Sequence, residues 1–126
     1  MPNQEILEKF INAVENQPHY SVIEAFYADD ATIQENQNEP KVGKENLIKN
    51  EREMLKKART VHSKCVRPFF QKDNTVIIRW KFRFEWKDNT VTEIEELAYQ
   101  EWDGDKIKQE QFFYDPKQFI PKKKIE

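Results

Sequence analysis

The chain has 126 residues, enough for one domain that buries roughly two-thirds of the surface its unfolded form exposes. Charged residues make up 35% of it and the formal net charge is only -2, so the two signs are interspersed and no field able to hold nucleic acid exists. There is no apolar leader and no run near the ~20 apolar residues of a membrane span; one cysteine leaves no internal disulfide, and His19, His62 and Cys65 lack metal-ligand spacing, so a soluble, cytoplasmic, metal-free chain is expected.

Asn3 is a candidate N-cap, and Ile6, Leu7, Phe10, Ile11 and Val14 recur at helical spacing until Pro18 stops the run, which predicts one amphipathic helix. Ser21 and Glu24 have capping-box spacing, and the apolar stripe of Val22, Ile23, Phe26 and Tyr27 predicts a short second helix ending near Asp29. A short strand over 31–35 and a polar loop over 36–41 follow. Gly43 then precedes a third helical pattern on Leu47, Ile48, Met54, Leu55 and Ala58, and Glu51 is an out-of-place carboxylate on that apolar stripe.

From Thr60 onward the chain reads as strand and turn. Val76, Ile78, Trp80, Phe82, Phe84 and Trp86 alternate with Ile77, Arg79, Lys81, Arg83 and Glu85, the period of a strand with one face in an apolar interior. Lys-Asp-Asn-Thr occurs at 72–75 and again at 87–90, and Asp103, Gly104 and Asp105 form a third cluster; all three read as turns because Asp, Asn and Gly tolerate positive φ. A four-stranded meander results. Two loop residues at the first turn set Arg67 opposite Trp80 and Phe69 opposite Ile78, which puts Val61, Ser63, Cys65, Arg67 and Phe69 on the aromatic face and makes Arg67 an interior cation. In the second hairpin a two-residue loop would bury Glu93, Glu95 and Glu101 unpaired. A one-residue bulge instead sets Ile94 against Phe84 and Glu95 against Arg83, so the inner face carries Thr92, Ile94, Glu96, Ala98, Gln100 and Trp102. Glu110, Phe112 and Tyr114 follow on the last strand if the third turn keeps this parity.

Three helices, a strand and a meander with one aromatic face resemble the nuclear transport factor 2-like superfamily. The resemblance is carried by Tyr27-Ala28-Asp29-Asp30-Ala31-Thr32, by Gly43, and by the ending Trp102-Asp103-Gly104-Asp105-Lys106-Ile107 through Phe113-Tyr114-Asp115-Pro116. Glu96-Leu97-Ala98 with Gln100, Trp102, Glu110 and Tyr114-Asp115 is most similar to the SnoaL-like group, which includes polyketide cyclases. The resemblance implies an α+β fold, a cone-shaped barrel with three N-terminal helices packed in the concavity of a strongly curved, mostly antiparallel sheet. The whole chain, 1–126, is then a single SnoaL-like domain, with a core over 1–116 and a tail over 117–126 whose Lys122, Lys123 and Lys124 fray.

Ketosteroid isomerases share the Tyr-Ala-Asp-Asp-Ala-Thr stretch, and their general base would fall at Glu35. Their oxyanion-hole tyrosine and protonated aspartate, a pair that is itself a standard illustration of such a hole, would fall at Phe10 and Ala98, which carry no donor. Isomerase activity on ketosteroids is therefore disfavoured. A pocket tyrosine of some isomerases aligns with Glu51. The cyclases work with aspartate and histidine, but His62 falls on the outer face and His19 just before the second helix, so cyclase chemistry is not supported either.

Glu35, Glu51, Glu96, Glu110, Gln100, Arg67 and Tyr114 are expected to converge on one pocket walled by Trp80, Phe82, Phe84 and Phe112. The expected function is binding of an unidentified small hydrophobic or aromatic molecule, without cofactor or metal. Two alternatives stand: a cofactor-independent lyase or isomerase with Glu35 or Glu96 as the proton-transfer base, and a non-catalytic interaction module with a filled core and the outer sheet as its working surface; for the polar residues themselves the bland reading is a buried Arg67–Glu96 pair that holds strands together without chemistry. Outward Val66, Phe70, Ile77, Leu97 and Tyr99 among charged residues predict a homodimer through the outer sheet face, with no nucleic-acid or membrane partner.

Overall fold

A computed structural model describes residues 1–123, and Lys124 lies outside them. Helix α1, Gln4–Asn16, starts where the Asn3 side chain accepts from the Ile6 amide at 2.9 Å, and it buries Leu7, Phe10, Ile11, Ala13 and Val14. It stops at Gln17, whose extended backbone is what the residue before a proline prefers. Helix α2, His19–Phe26, begins two residues before the expected Ser21 cap. The proline ring holds φ at -58, a value that suits a helix start, and the Pro18 carbonyl takes the first helical amide, so Ser21 lies inside the first turn. Strand β1, Tyr27–Glu35, follows at once rather than from residue 31. β2 is Lys41–Val42, and helix α3, Lys44–Leu55, opens on Gly43 at φ +94, a conformation only glycine adopts freely.

The remaining strands are β3 (Ala58–Lys72), β4 (Thr75–Trp86), β5 (Thr90–Asp103), β6 (Lys106–Phe113) and the short β7 (Lys122–Lys123), with a 3-10 turn at Pro116–Phe119. The sheet runs β2-β1-β6-β5-β4-β3 with β7 on β5. It is antiparallel except where β1 and β6 run parallel, and it curves around the helices without closing. No helix among the described residues is long and apolar enough to cross a membrane.

Both hairpins keep the expected parity and change the pairing. The first has its two-residue loop, with Lys72 opposite Thr75 and Asp73 at φ 53, but farther up the ladder Cys65, not Arg67, faces Trp80. Between the Val66–Arg79 and Phe70–Ile77 pairs, residues 67–69 face only Ile78. That bulge swings Arg67 out of the interior: its side chain is 52% exposed, and its guanidinium grips the Glu8 carboxylate of α1 at 2.9 and 2.5 Å. The second hairpin has its extra residue, Asn89, at φ 69, and Thr92, Ile94, Glu96, Ala98, Gln100 and Trp102 face inward. Ile94, however, meets Phe82, not Phe84, and Glu95 meets Lys81, not Arg83, while Arg79 and Arg83 reach Glu95 and Glu93 respectively. On the outer face Phe70, Leu97 and Tyr99 are exposed, and Val66 and Ile77 are half-buried.

The tail differs from expectation for a topological reason. β6 pairs with β5 only over Leu97 to Asp103, so the other half of that β5 edge would have unpaired amides and carbonyls. Lys122 and Lys123, expected to fray, pair with Val91 and Thr90. Gln118 serves the same edge, accepting from the Glu95 amide at 2.8 Å and donating to the Glu95 carbonyl at 3.2 Å.

Candidate functional site

Successive inward residues of β4 stack into an aromatic wall. Trp80 and Phe82 lie 5.7 Å apart at 20°, and Phe84 and Trp86 lie 5.3 Å apart at 6°. The helices do not press flat against this wall. A cavity of about 340 Å³ remains between it, α2, α3 and the inner ends of β1, β5 and β6, a volume in the range of small-molecule sites. Phe10, Leu47 and Ile94 add apolar surface, and Phe112 and Phe119 stand at the rim.

The fold brings five glutamates to this cavity: Glu35 from the end of β1, Glu39 from the loop after it, Glu51 from α3, Glu96 from β5 and Glu110 from β6. Glu110 is held rigidly. It accepts from the Tyr27 hydroxyl and, at 2.6 Å, from Gln100 Nε2, while Gln100 Oε1 accepts from Trp102 Nε1 at 2.9 Å. Glu51 is different, since its Oε2 is buried with no hydrogen-bond partner and its nearest cation candidate, His19 Nδ1, is 3.9 Å away. Burial first, then repulsion from Glu110, Glu35 and Glu51, pushes Glu96 up to about 8. Burial with repulsion from Glu35 and Glu110 takes Glu51 to about 7, and burial takes Glu110 to about 7 against its two donors. Burial lowers His19 to about 4, which keeps its imidazole neutral at pH 7. Tyr114 is raised to about 12 by burial and by Glu35, to which it is hydrogen-bonded.

Of the residues expected to converge, Glu35, Glu51, Glu96, Glu110, Trp80, Phe82, Phe84 and Phe112 line the cavity. Gln100 stands behind Glu110 as its support, and Tyr114 reaches the site through Glu35. Arg67 does not belong, so no Arg67–Glu96 pair exists and the acids are left without that counter-ion. His19, expected to be badly placed, lines the cavity because α2 starts early; its Nε2 bonds Ser63 Oγ at 2.9 Å and its ring meets Phe82 edge-on. Tyr27, read as part of a helical stripe, is the first residue of β1 and points at Glu110. Phe119, in the expected tail, also lines the cavity, and an aromatic between Pro116 and Pro121 is the sequence signal for it.

No protein-family model matches the chain, and no curated protein does. Solved structures do match in fold. A hypothetical protein with a ketosteroid isomerase-like fold from Catenulispora acidiphila, in complex with trimethylamine, superposes with a TM-score of 0.74 at 16% identity, over 90% of this chain and 88% of that one. An epoxide hydrolase of the LEH-like type from M. tuberculosis gives 0.74 at 16% identity over 92% and 84%. A candidate SnoaL-like polyketide cyclase from Mesorhizobium loti gives 0.73 at 22% identity over 87% and 97%. The fold is thus the ketosteroid isomerase-like, nuclear transport factor 2-like α+β cone implied by the sequence resemblance.

Proposed function

We propose that this protein binds a small organic molecule, apolar in body and polar at one end, in the cavity between the β4 aromatics and the glutamates. The observation that carries the reading is a cavity of about 340 Å³ with a stacked aromatic wall and, on its lining, a buried carboxylate oxygen with no hydrogen-bond partner. A packed interior would have favoured an interaction module instead. Trimethylamine in the Catenulispora protein supports small organic ligands for this fold.

Trp80 and Trp86 both line the cavity, so intrinsic fluorescence reports its occupancy. In a panel of small aromatic and aliphatic alcohols, ketones and amines, at least one compound should shift the emission. The same compound should raise stability by about 2.7 kcal/mol at a concentration of about 100 Kd. A panel that moves neither emission nor melting temperature removes this reading.

A second reading, a cofactor-independent lyase or isomerase, is favoured by one arrangement: Glu96, with its proton retained at neutral pH, shares the cavity with a neutral His19 and with Glu35. On that reading Glu35 accepts a proton and Glu96 supplies one. For any substrate found, Glu35→Gln and Glu96→Gln should each reduce kcat by about 10²-fold or more while leaving the melting temperature at pH 6 nearly unchanged. Full turnover by both variants would exclude it.

A further inference from the structure

We propose that the occupant of this cavity is a protonated organic amine with at least one N–H, which donates to Glu51 Oε2 while its apolar substituents lie against Trp80, Phe82 and Phe84, and that its uptake expels a proton from the surrounding glutamates. The proposal rests on the small-molecule reading above and specifies the chemistry of the ligand.

The first support is an accounting of donors. The Tyr27 hydroxyl and Gln100 Nε2 are committed to Glu110, Trp102 Nε1 to Gln100, Trp86 Nε1 to Thr92, and the Tyr114 hydroxyl to Glu35. His19 Nε2 is engaged with Ser63. None of these donors reaches Glu51 Oε2, nor do those of Asn38, Asn50 and Lys41 that also line the cavity, so this buried oxygen has no hydrogen-bond partner. A ketone, carboxylate or phosphate would bring Glu51 Oε2 only another acceptor. An ammonium brings the missing donor, and a hydrogen bond to a charged partner is stronger than one between neutral groups.

The second support is charge. Facing the cavity are Glu35 on β1, Glu39 in the loop after it, Glu51 on α3, Glu96 on β5 and Glu110 on β6. Against them stand Lys41 on β2 and the neutral His19 of α2, with the Tyr27 hydroxyl on β1 and the Tyr114 hydroxyl after β6. Aromatic faces attract cations as well, and here Trp80 stands directly cross-strand from Glu96. The carboxylates limit their own repulsion by holding protons, since Glu51 and Glu110 titrate at about 7 and Glu96 at about 8. A cation arriving beside them favours the ionised forms, so one carboxyl releases its proton to bulk buffer as the ammonium enters. One positive charge goes in, one proton comes out, and the amine keeps its own proton because its ordinary pKa, about 10, is well above neutral.

Titration calorimetry at pH 7 in phosphate and in Tris, whose ionisation heats differ widely, tests both halves of the proposal with benzylamine, benzyl alcohol, benzoate and benzyltrimethylammonium as probes. Benzylamine should bind about tenfold or more tighter than benzyl alcohol, as expected for an added charge-assisted hydrogen bond. Its apparent heat should differ between buffers by roughly half to one proton released, and its affinity should rise between pH 6 and pH 8. Benzyltrimethylammonium, which has no N–H, should bind more weakly than benzylamine. Glu51→Gln should erase the preference for the amine while keeping affinity for benzyl alcohol, which also shows that the variant is folded; Glu96→Gln should mainly cut the proton release. Benzyl alcohol or benzoate binding as tightly as the amine, equal heats in the two buffers, or an unaltered preference in Glu51→Gln would overturn the proposal and leave the small-molecule reading standing. Silence of all four probes overturns it too. Only silence of the wider panel as well removes the reading beneath it.

Discussion

Raising the pH of the ligand-free protein from 6 to 9 is expected to lower its melting temperature by on the order of 10 °C. The ordinary glutamate value is 4.5, whereas in the folded chain Glu51 and Glu110 titrate at about 7 and Glu96 at about 8. Between those values the folded state holds protons that the unfolded state has released, so every step up in pH takes stability away. The contribution is whole below about 4.5 and gone above about 8, and the part lost between pH 6 and 9 amounts, across three groups, to several kcal/mol on the scale of about 1.4 kcal/mol per unit shift. His19 acts in the opposite sense: its folded value, about 4 against 6.5, withdraws stability as pH falls through that interval. Stability should therefore peak on the acid side of neutral. Glu96→Gln, which carries no charge at any pH, should melt near wild type at pH 6 and above it at pH 9. A wild-type melting temperature that holds or rises from pH 6 to 9, followed by circular dichroism, would show that the carboxylates are not crowded as described.

Trp102→Ala should cost about 3–5 kcal/mol, close to the whole stability of many domains of this size. Two losses combine there. The indole is 3% exposed and meets Phe10 edge-on at 5.6 Å, and Phe10 in turn meets Phe26 at 5.4 Å, so its removal leaves a void where sheet and helices join. The indole N–H is also the donor that satisfies Gln100 Oε1, on a fully buried side chain that holds Glu110 with its other end. An orphaned buried acceptor costs about 1–3 kcal/mol by itself. Trp102→Phe keeps most of the volume and drops only the donor, so its loss should fall to about that smaller figure. Phe70→Ala, at a side chain 63% exposed, should stay within about 0.5 kcal/mol. Urea midpoints for the three variants give the comparison, and a Trp102→Ala loss below about 1 kcal/mol would contradict this account of the core.

Several features were legible in the residues because a wrong local choice there is expensive. Which face of β4 is buried follows from an unbroken alternation that ends in four large aromatics, and a slip of one residue would drown all of them in water. The parity of the second hairpin follows from the cost of burying Glu93, Glu95 and Glu101, and the structure keeps that parity through Asn89. Asn3 caps α1 and Glu51 sits on an apolar stripe, so each of these signals comes from near neighbours on one helix.

What the tertiary structure alone decided concerns alternatives that are nearly equal locally. A two-residue shift of register preserves every inside and outside, so the strand pattern cannot reject it, and the choice passes to distant contacts. Glu8 and Glu15 of α1 take up the bulged edge of β3, one gripping Arg67 and the other accepting from the Cys65 amide, and Arg67 leaves the pocket as a result. The docking of the tail depends on how far β6 runs along β5, a property of neither segment alone. His19 and Tyr27 reach the cavity because α2 begins at His19, just after Pro18, and gives way to β1 at Tyr27, boundaries that local patterns specify weakly. The acidity of the site is likewise collective: no single glutamate predicts it, because it arises only when the fold brings five of them, up to 75 positions apart in sequence, to one space.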